Sequence, residues 1–177
     1  ELGEKLRILQ SLPDLRDAAE TLGGGKAEAK AREDARAHLL GGALTLRGAE
    51  GADEPRLRAL TGMPRPAVEA ALQLLSTRGE ALCWDKEGRA WIAKVTFEKL
   101  LAACLERGAE LHRREPTKPG FTRGALCTGW SRTRPPKLVQ KVLDQGIKQG
   151  LLVTEGEGLR LQAHTVSLAA DQAGLRQ

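Results

Sequence analysis

One arrangement of residues occurs twice in this chain, and it narrows the possible folds more than any other feature. The clearer copy runs from Phe121 to His164. It has a short helix signal, a break at Thr128-Gly129 and a second helix signal from Arg134 to Gln149; two short strand signals then flank Gly156-Glu157-Gly158. The other copy runs from about Glu54 to Ala93, with a break at Thr61-Gly62, a helix from Arg65 to Arg78 and two strands around Lys86-Glu87-Gly88. Gly79 and Gly150 close the second helices, Gly88 and Gly158 sit at the hairpin turns, and Thr96 and Ser167 each follow their closing glycine by 17 residues. The closing glycines are 71 residues apart, as are Thr96 and Ser167. Short helix, turn, second helix and hairpin is the pattern of a helix-turn-helix with a β-wing. A period this long marks a duplicated domain rather than a solenoid unit. The expected fold is mostly α with small β-hairpins, an α+β tandem of winged-helix modules.

The expected boundaries are an entry segment over 1–27, a first module over 28–95, a second over 96–168, and the start of a following helix or tail over 169–177. In the entry segment Pro13 ends one short helical turn, Asp14 caps another, and Gly23-Gly24-Gly25 forms a hinge. That glycine run lacks the Lys-Ser/Thr sequel of a phosphate-binding loop. A helix is expected over 27–40, broken by Gly41-Gly42, with Ala43 to Leu46 as a small strand against the wing. Leu57 and Leu60 are placed inward on the next helix, and Val68, Ala71, Leu72 and Leu75 recur at helical spacing on the one after. Thr96 is expected to cap a long helix to about His112, shared by both modules, with Phe97, Leu100, Leu101, Cys104, Leu105 and Leu111 as its apolar stripe. Pro116 and Pro119 make the following stretch a loop. Thr122 is the next candidate N-cap, with Leu126 and Cys127 facing inward. Pro135-Pro136 sets the start of the helix that carries Leu138, Val139, Val142, Leu143 and Ile147 inward, and Ser167 is expected to open a further helix.

Charge separates the two copies. Residues 1–95 carry 15 Lys/Arg against 15 Asp/Glu, whereas residues 96–177 carry 13 against 8 and supply the whole net charge of +5. The second copy is therefore the better partner for a polyanion. No apolar run approaches the roughly 20 residues of a membrane span, and no signal peptide is evident, so a cytoplasmic protein without membrane contact is expected. The chain has no initiator Met, which suits a piece of a longer protein. Cys83, Cys104 and Cys127 fit neither zinc spacing nor a disulfide framework and are expected to be reduced core residues. No Walker motif, dinucleotide fingerprint, HExxH or CxxC pair occurs, and His38, His112 and His164 have no partner at metal-ligand spacing. No catalysis, metal or cofactor is expected in this chain.

Two basic groups are the candidate RNA contacts. Trp130, Arg132, Arg134, Lys137 and Lys141 precede or line the second helix of the basic copy, with Lys137 and Lys141 one turn apart on one face. Arg113, Arg114 and Lys118 form the other group. Trp130 can stack on Arg132 or on a base. The same residues also suit a packed indole and a solvated basic surface. His112 and His164 are expected to be hydrogen-bonded residues at element ends.

Two stretches go beyond a generic winged helix: the segment from His112 to Leu126 and the segment from Leu159 to Gln172. They resemble the C-terminal extension of the bacterial selenocysteine-specific translation elongation factor family, SelB. The matching positions are His112, Pro116, Pro119, Gly120, Arg123, Leu126, Leu161, His164, Ser167 and Gln172. Gly124-Ala125 depart from the acidic residues usual after the Arg that opens the helix. The resemblance implies a row of four winged helices behind a GTPase body, the last of which binds an mRNA hairpin. This chain would hold the first two and connect the GTPase and tRNA-binding end to the hairpin-binding end. GTP, Mg, selenocysteyl-tRNA, the ribosome and the mRNA hairpin would then be engaged through the longer protein, and this part would be monomeric. A DNA-binding regulator with tandem winged helices and a protein–protein module remain as alternatives. A regulator should dimerise on paired half-sites and carry base-reading side chains, yet the first copy offers only Arg65, Glu69 and Gln73.

Overall fold

The computed structural model describes residues 26–156 and 158–164. The chain divides into two compact units with the boundary between Phe97 and Glu98. The entry segment and the helix expected from Ser167 lie outside the described residues.

The first described element of unit 1 is α1 (Lys26–Arg47), a single helix. The break expected at Gly41-Gly42 does not occur, and Ala43 to Leu46 are helical rather than a strand. Two interior glycines cost a helix about 1 kcal/mol each relative to Ala. Burial outweighs that: Ala37, Leu40 and Leu44 are fully buried, in one cluster with Leu57, Val68, Leu72 and Leu75. A 3-10 turn (Gly48–Glu50) leads into β1 (Ala52–Asp53), and β1 is the strand that pairs with the wing. Then come α2 (Glu54–Thr61), α3 (Arg65–Thr77), β2 (Ala81–Asp85) and β3 (Ala90–Ala93). The three strands form an antiparallel sheet in the order β1-β3-β2, with Ala52 opposite Trp91 and Leu82 opposite Ile92. On α2, Leu57 is buried but Leu60 is 53% exposed, because this two-turn helix has a narrow inner face.

Helix α4 (Lys94–Arg114) follows β3 without a loop. Thr96 therefore lies inside the first turn rather than at the cap; the Lys94 N–H instead donates to the Glu80 carbonyl at 2.8 Å. In unit 2 this helix buries Leu100, Leu101, Cys104 and Leu111. After the proline loop come α5 (Arg123–Cys127), α6 (Pro136–Lys148), β4 (Leu152–Glu155) and β5 (Gly158–Leu161). β4 and β5 form the wing, with Leu152 opposite Leu161. Phe121 adds a one-residue third strand: its N–H and C=O bond Leu159 in both directions at 2.9 and 2.8 Å. Leu126, Leu138, Val142, Leu143, Leu152 and Leu159 are all 2% exposed or less, which makes this wing and helix pair one core.

The duplication shows in the caps. Asp53 accepts from the Arg56 N–H ahead of α2, and Thr122 accepts from the Ala125 N–H ahead of α5. Pro64 and Pro135 precede the two second helices. These helices end alike: Glu80 N–H donates to Leu75 C=O, and Leu151 N–H to Gly146 C=O, with Gly79 and Gly150 both at φ 70°. That left-handed residue carries the chain out of the helix into the wing, and only glycine adopts it without strain.

One buried pair is exchanged between the copies. Leu75 and Ala81 are buried in unit 1; the residues 71 positions later, Gly146 and Leu152, are buried in unit 2. A Cβ on Gly146 would meet Leu152 Cδ1 at 2.8 Å and Leu101 Cδ1 at 3.4 Å. The large residue sits on the helix in one copy and on the strand in the other, with similar total volume. Gly146→Leu alone is expected to destabilise unit 2 by more than about 1 kcal/mol through overpacking. Adding Leu152→Ala, which installs the arrangement of unit 1, should return a good part of that loss. A denaturant double-mutant cycle measures the coupling, and simple additivity would contradict it.

Candidate nucleic-acid interface

The second helix of a winged helix presents its outer face to a nucleic acid. In unit 1 that face is occupied by the protein's own charges. Glu54 is buried at the start of α2. Arg65 Nε lies 3.1 Å from Glu54 Oε1 and 3.1 Å from Glu69 Oε1. Arg89 Nη1 lies 2.7 Å from Glu54 Oε2 and 2.9 Å from Glu69 Oε1. Two arginines and two glutamates cancel. The Arg65 hydrogen bond, followed by that of Arg89, holds the Glu69 carboxyl below the usual carboxylate range, and the Glu54 bond raises the Arg89 guanidinium. Arg89 adopts φ 47°, an uncommon conformation for a side-chain-bearing residue. The Asp85 carboxylate shapes that turn by accepting from the Glu87 and Gly88 N–H groups at 3.2 Å each. Unit 1 therefore offers a polyanion no uncompensated cation from this cluster.

The outer face of α6 in unit 2 carries two lysines. Lys137 is exposed and Lys141 half-buried, one turn apart. Beside them Arg123 Nη1 donates to Gln140 Oε1 at 3.1 Å, and Gln140 Nε2 donates to Asp144 Oδ1 at 2.7 Å. This chain fixes the Gln140 amide, and Asp144 lowers the positive potential toward the C-terminal half of the helix. Arg132 is exposed. Arg134 is half-buried: its Nη1 donates to Thr133 Oγ1 at 2.6 Å, and its Nε is sealed from solvent without a partner. Lys118 pairs with Glu115 in the proline loop.

The two basic groups that sequence spacing kept apart are redistributed. Trp130, Arg113 and Arg114 line one groove of about 630 Å³, together with Arg107, Glu106 and Glu110. Lys118, Lys137 and Lys141 do not line it. Trp130 Nε1 donates to the Leu126 carbonyl at 2.7 Å, which fixes the indole by its polar edge. Arg107 Nη1 donates to Glu110 Oε2 at 2.6 Å, and Arg114 bonds the other Glu110 oxygen. These arginines, with the Arg107 bond foremost, hold Glu110 below the usual carboxylate range. Arg107 and the two glutamates were not singled out from sequence, because their opposite charges one turn apart are typical of any solvated helix face.

The histidines matched to the family stand together in the core of unit 2. His112 is 6% exposed; its ring stacks on His164 at 3.6 Å between centroids and meets Phe121 edge-on at 4.8 Å. The Leu161 N–H donates to His112 Nε2 at 3.3 Å. His112 must therefore be neutral, with its proton on Nδ1. Burial first, then the charges of His164 and Arg160, push its pKa below the ordinary 6.5. A base lowered on folding contributes stability that is complete above 6.5 and is lost as the pH falls through the folded value. The urea midpoint is expected to decline on acidification from neutral pH, before the carboxylates titrate. His112→Gln, which keeps an acceptor but does not titrate, should flatten that early decline.

Burial pushes the Cys104 thiol up to about 12, with a further contribution from Cys127, and also raises Cys127. Both are thiols rather than thiolates at neutral pH. Among the described residues no cluster of His, Cys, Asp and Glu is suited to a metal, and no helix is long and apolar enough to cross a membrane.

Three comparisons bear on identity. Residues 105–161, from α4 through β5, match the family model of the second winged helix of elongation factor SelB. The chain is 37% identical over 138 residues to the selenocysteine-specific elongation factor of Desulfomicrobium baculatum, covering 78% of this chain and 22% of that protein. The chain thus spans less than a quarter of that relative. The mRNA-binding domain of elongation factor SelB from E. coli, solved in complex with SECIS RNA, superposes with a TM-score of 0.50 at 12% identity. That match covers 71% of this chain and 96% of the other, and at such identity it shows the fold, a winged-helix architecture. The chain belongs to the C-terminal winged-helix region of the SelB elongation-factor family.

Proposed function

We propose that this chain is a non-catalytic connector in selenocysteine incorporation. It joins the GTPase and tRNA-binding body of a SelB factor to the winged helices that bind the mRNA hairpin, and unit 2 makes auxiliary RNA contacts. The observation that carries this reading is the match of unit 2 to the second winged helix of SelB, in a chain that places another winged helix before it. A second module in such a row has structure to join on both sides. GTP and Mg²⁺, selenocysteyl-tRNA and the ribosome belong to the longer protein, which acts in the cytoplasm, and this part is a monomer. The related E. coli domain holds SECIS RNA, so an mRNA hairpin is the RNA to test. Two observations support RNA contacts on unit 2: Glu54 and Glu69 neutralise Arg65 and Arg89 in unit 1, and α6 carries Lys137 and Lys141 in the more basic half of the chain.

A salt titration of the whole chain against a hairpin RNA and a duplex DNA of equal length tests this reading. Each phosphate contact contributes about −0.9 to the slope of log K against log salt on a DNA duplex. Preference for the hairpin, with both preference and slope reduced in Lys137→Ala/Lys141→Ala, is the expected result. Equal, weak binding to both, unchanged by the substitutions, would leave a connector without RNA contacts of its own.

A further inference from the structure

We propose that the groove between α4 and Trp130 is a nucleobase pocket: it takes one unstacked base of a single-stranded RNA segment on the Trp130 indole, with Arg113 on a flanking phosphate. This deepens the RNA-contact reading of unit 2 and rests on it, but at a different surface from Lys137 and Lys141.

Four observations converge on the groove. Trp130 is the one partly exposed large aromatic of unit 2; the other, Phe121, is 5% exposed and pairs with the wing. An indole whose N–H is already given to the Leu126 carbonyl has its polar requirement met, so a base needs only its π-face. The ring is also fixed in advance, which lowers the entropic cost of stacking on it. A volume of about 630 Å³ falls within the usual size of small-ligand clefts and accommodates one nucleotide.

Charge selects the class of ligand. The lining carries Arg107, Arg113 and Arg114 against Glu106 and Glu110. Glu110 is held by Arg107 and Arg114 on its two oxygens, so its charge is compensated where a phosphate would approach. Arg113 is exposed, and it acts on Glu110 through its charge. Guanidinium groups suit phosphate by geometry as well as by charge. Aromatic stacking with adjacent cations is how single strands are held without base pairing. A duplex buries the faces of its bases, so the pocket would select unpaired segments.

The test uses the whole chain with 5-fluorotryptophan at Trp84, Trp91 and Trp130, which gives one fluorine resonance each; Trp130→Phe assigns the third. A short single-stranded RNA is compared with an abasic oligomer of the same phosphate count. The base-bearing strand should shift the Trp130 resonance and bind about 5- to 150-fold more tightly than the abasic one, the range for stacking one base. Trp130→Leu should lower base-bearing affinity to the abasic level, while Trp130→Phe retains much of it. Arg113→Ala should weaken both oligomers by a similar factor, and it keeps the test open if the Leu variant fails to fold. Lys137→Ala/Lys141→Ala should leave the Trp130 shift in place. Equal affinity for both oligomers with an unmoved Trp130 resonance would overturn the pocket, even if the hairpin salt slope still reported phosphate contacts on α6. A Trp130 shift produced by an acidic peptide and not by RNA would overturn it as well.

Discussion

Each unit depends on burying the inner stripe of its second helix. Val68, Leu72 and Leu75 in α3, and Leu138, Val142 and Leu143 in α6, are the apolar surface on which the neighbouring helices and wing converge. Burying one such side chain contributes about 1.5–3 kcal/mol. That contribution outweighs weaker local preferences nearby. It keeps α1 continuous through Gly41-Gly42, where Leu40 and Leu44 join the cluster beneath α3. With this helix seated, its outer face is the surface each unit presents.

The charges at the two outer faces are arranged differently. In unit 1, buried Glu54 attracts Arg65 and Arg89, and Glu69 completes a four-membered network. Arg65 and Arg89 are each about half exposed, so the network contributes modestly to stability. Its greater consequence is to remove two arginines from the pool that could meet a phosphate. Unit 2 has no equivalent of Glu54 at that place: Thr122-Arg123 begin α5 where Asp53-Glu54 begin α2. On α4, Glu110 organises arginines around the groove at Trp130.

The stacked His112–His164 pair shows how motif residues can serve the fold rather than chemistry. The expectation of hydrogen-bonded residues at element ends holds for His112, whose Nε2 receives the wing N–H of Leu161. His112 Nδ1 and His164 Nε2 are buried without a partner, so the pair spends polar capacity to tie the end of α4 to the end of β5. The pairing spans 52 residues, and nothing in local spacing points to it.

Local rules settled much of this protein. Helical periodicity placed the stripes of α3, α4 and α6; Thr122, Pro135-Pro136, Gly79 and Gly150 marked helix ends; the 71-residue offset revealed the duplication. These are nearest-neighbour effects of backbone and side chain, and so can be seen in a linear string. Other features required the folded chain. Gly41-Gly42 stayed helical because distant leucines cover that turn, and β1 rather than Ala43–Leu46 paired with the wing. Thr96 lost the cap because β3 runs directly into α4. The candidate contacts Arg113, Arg114 and Trp130 were legible as residues but not as one groove. Their grouping depends on where α5 sets Trp130 against α4, and that position comes from long-range packing rather than spacing along the chain.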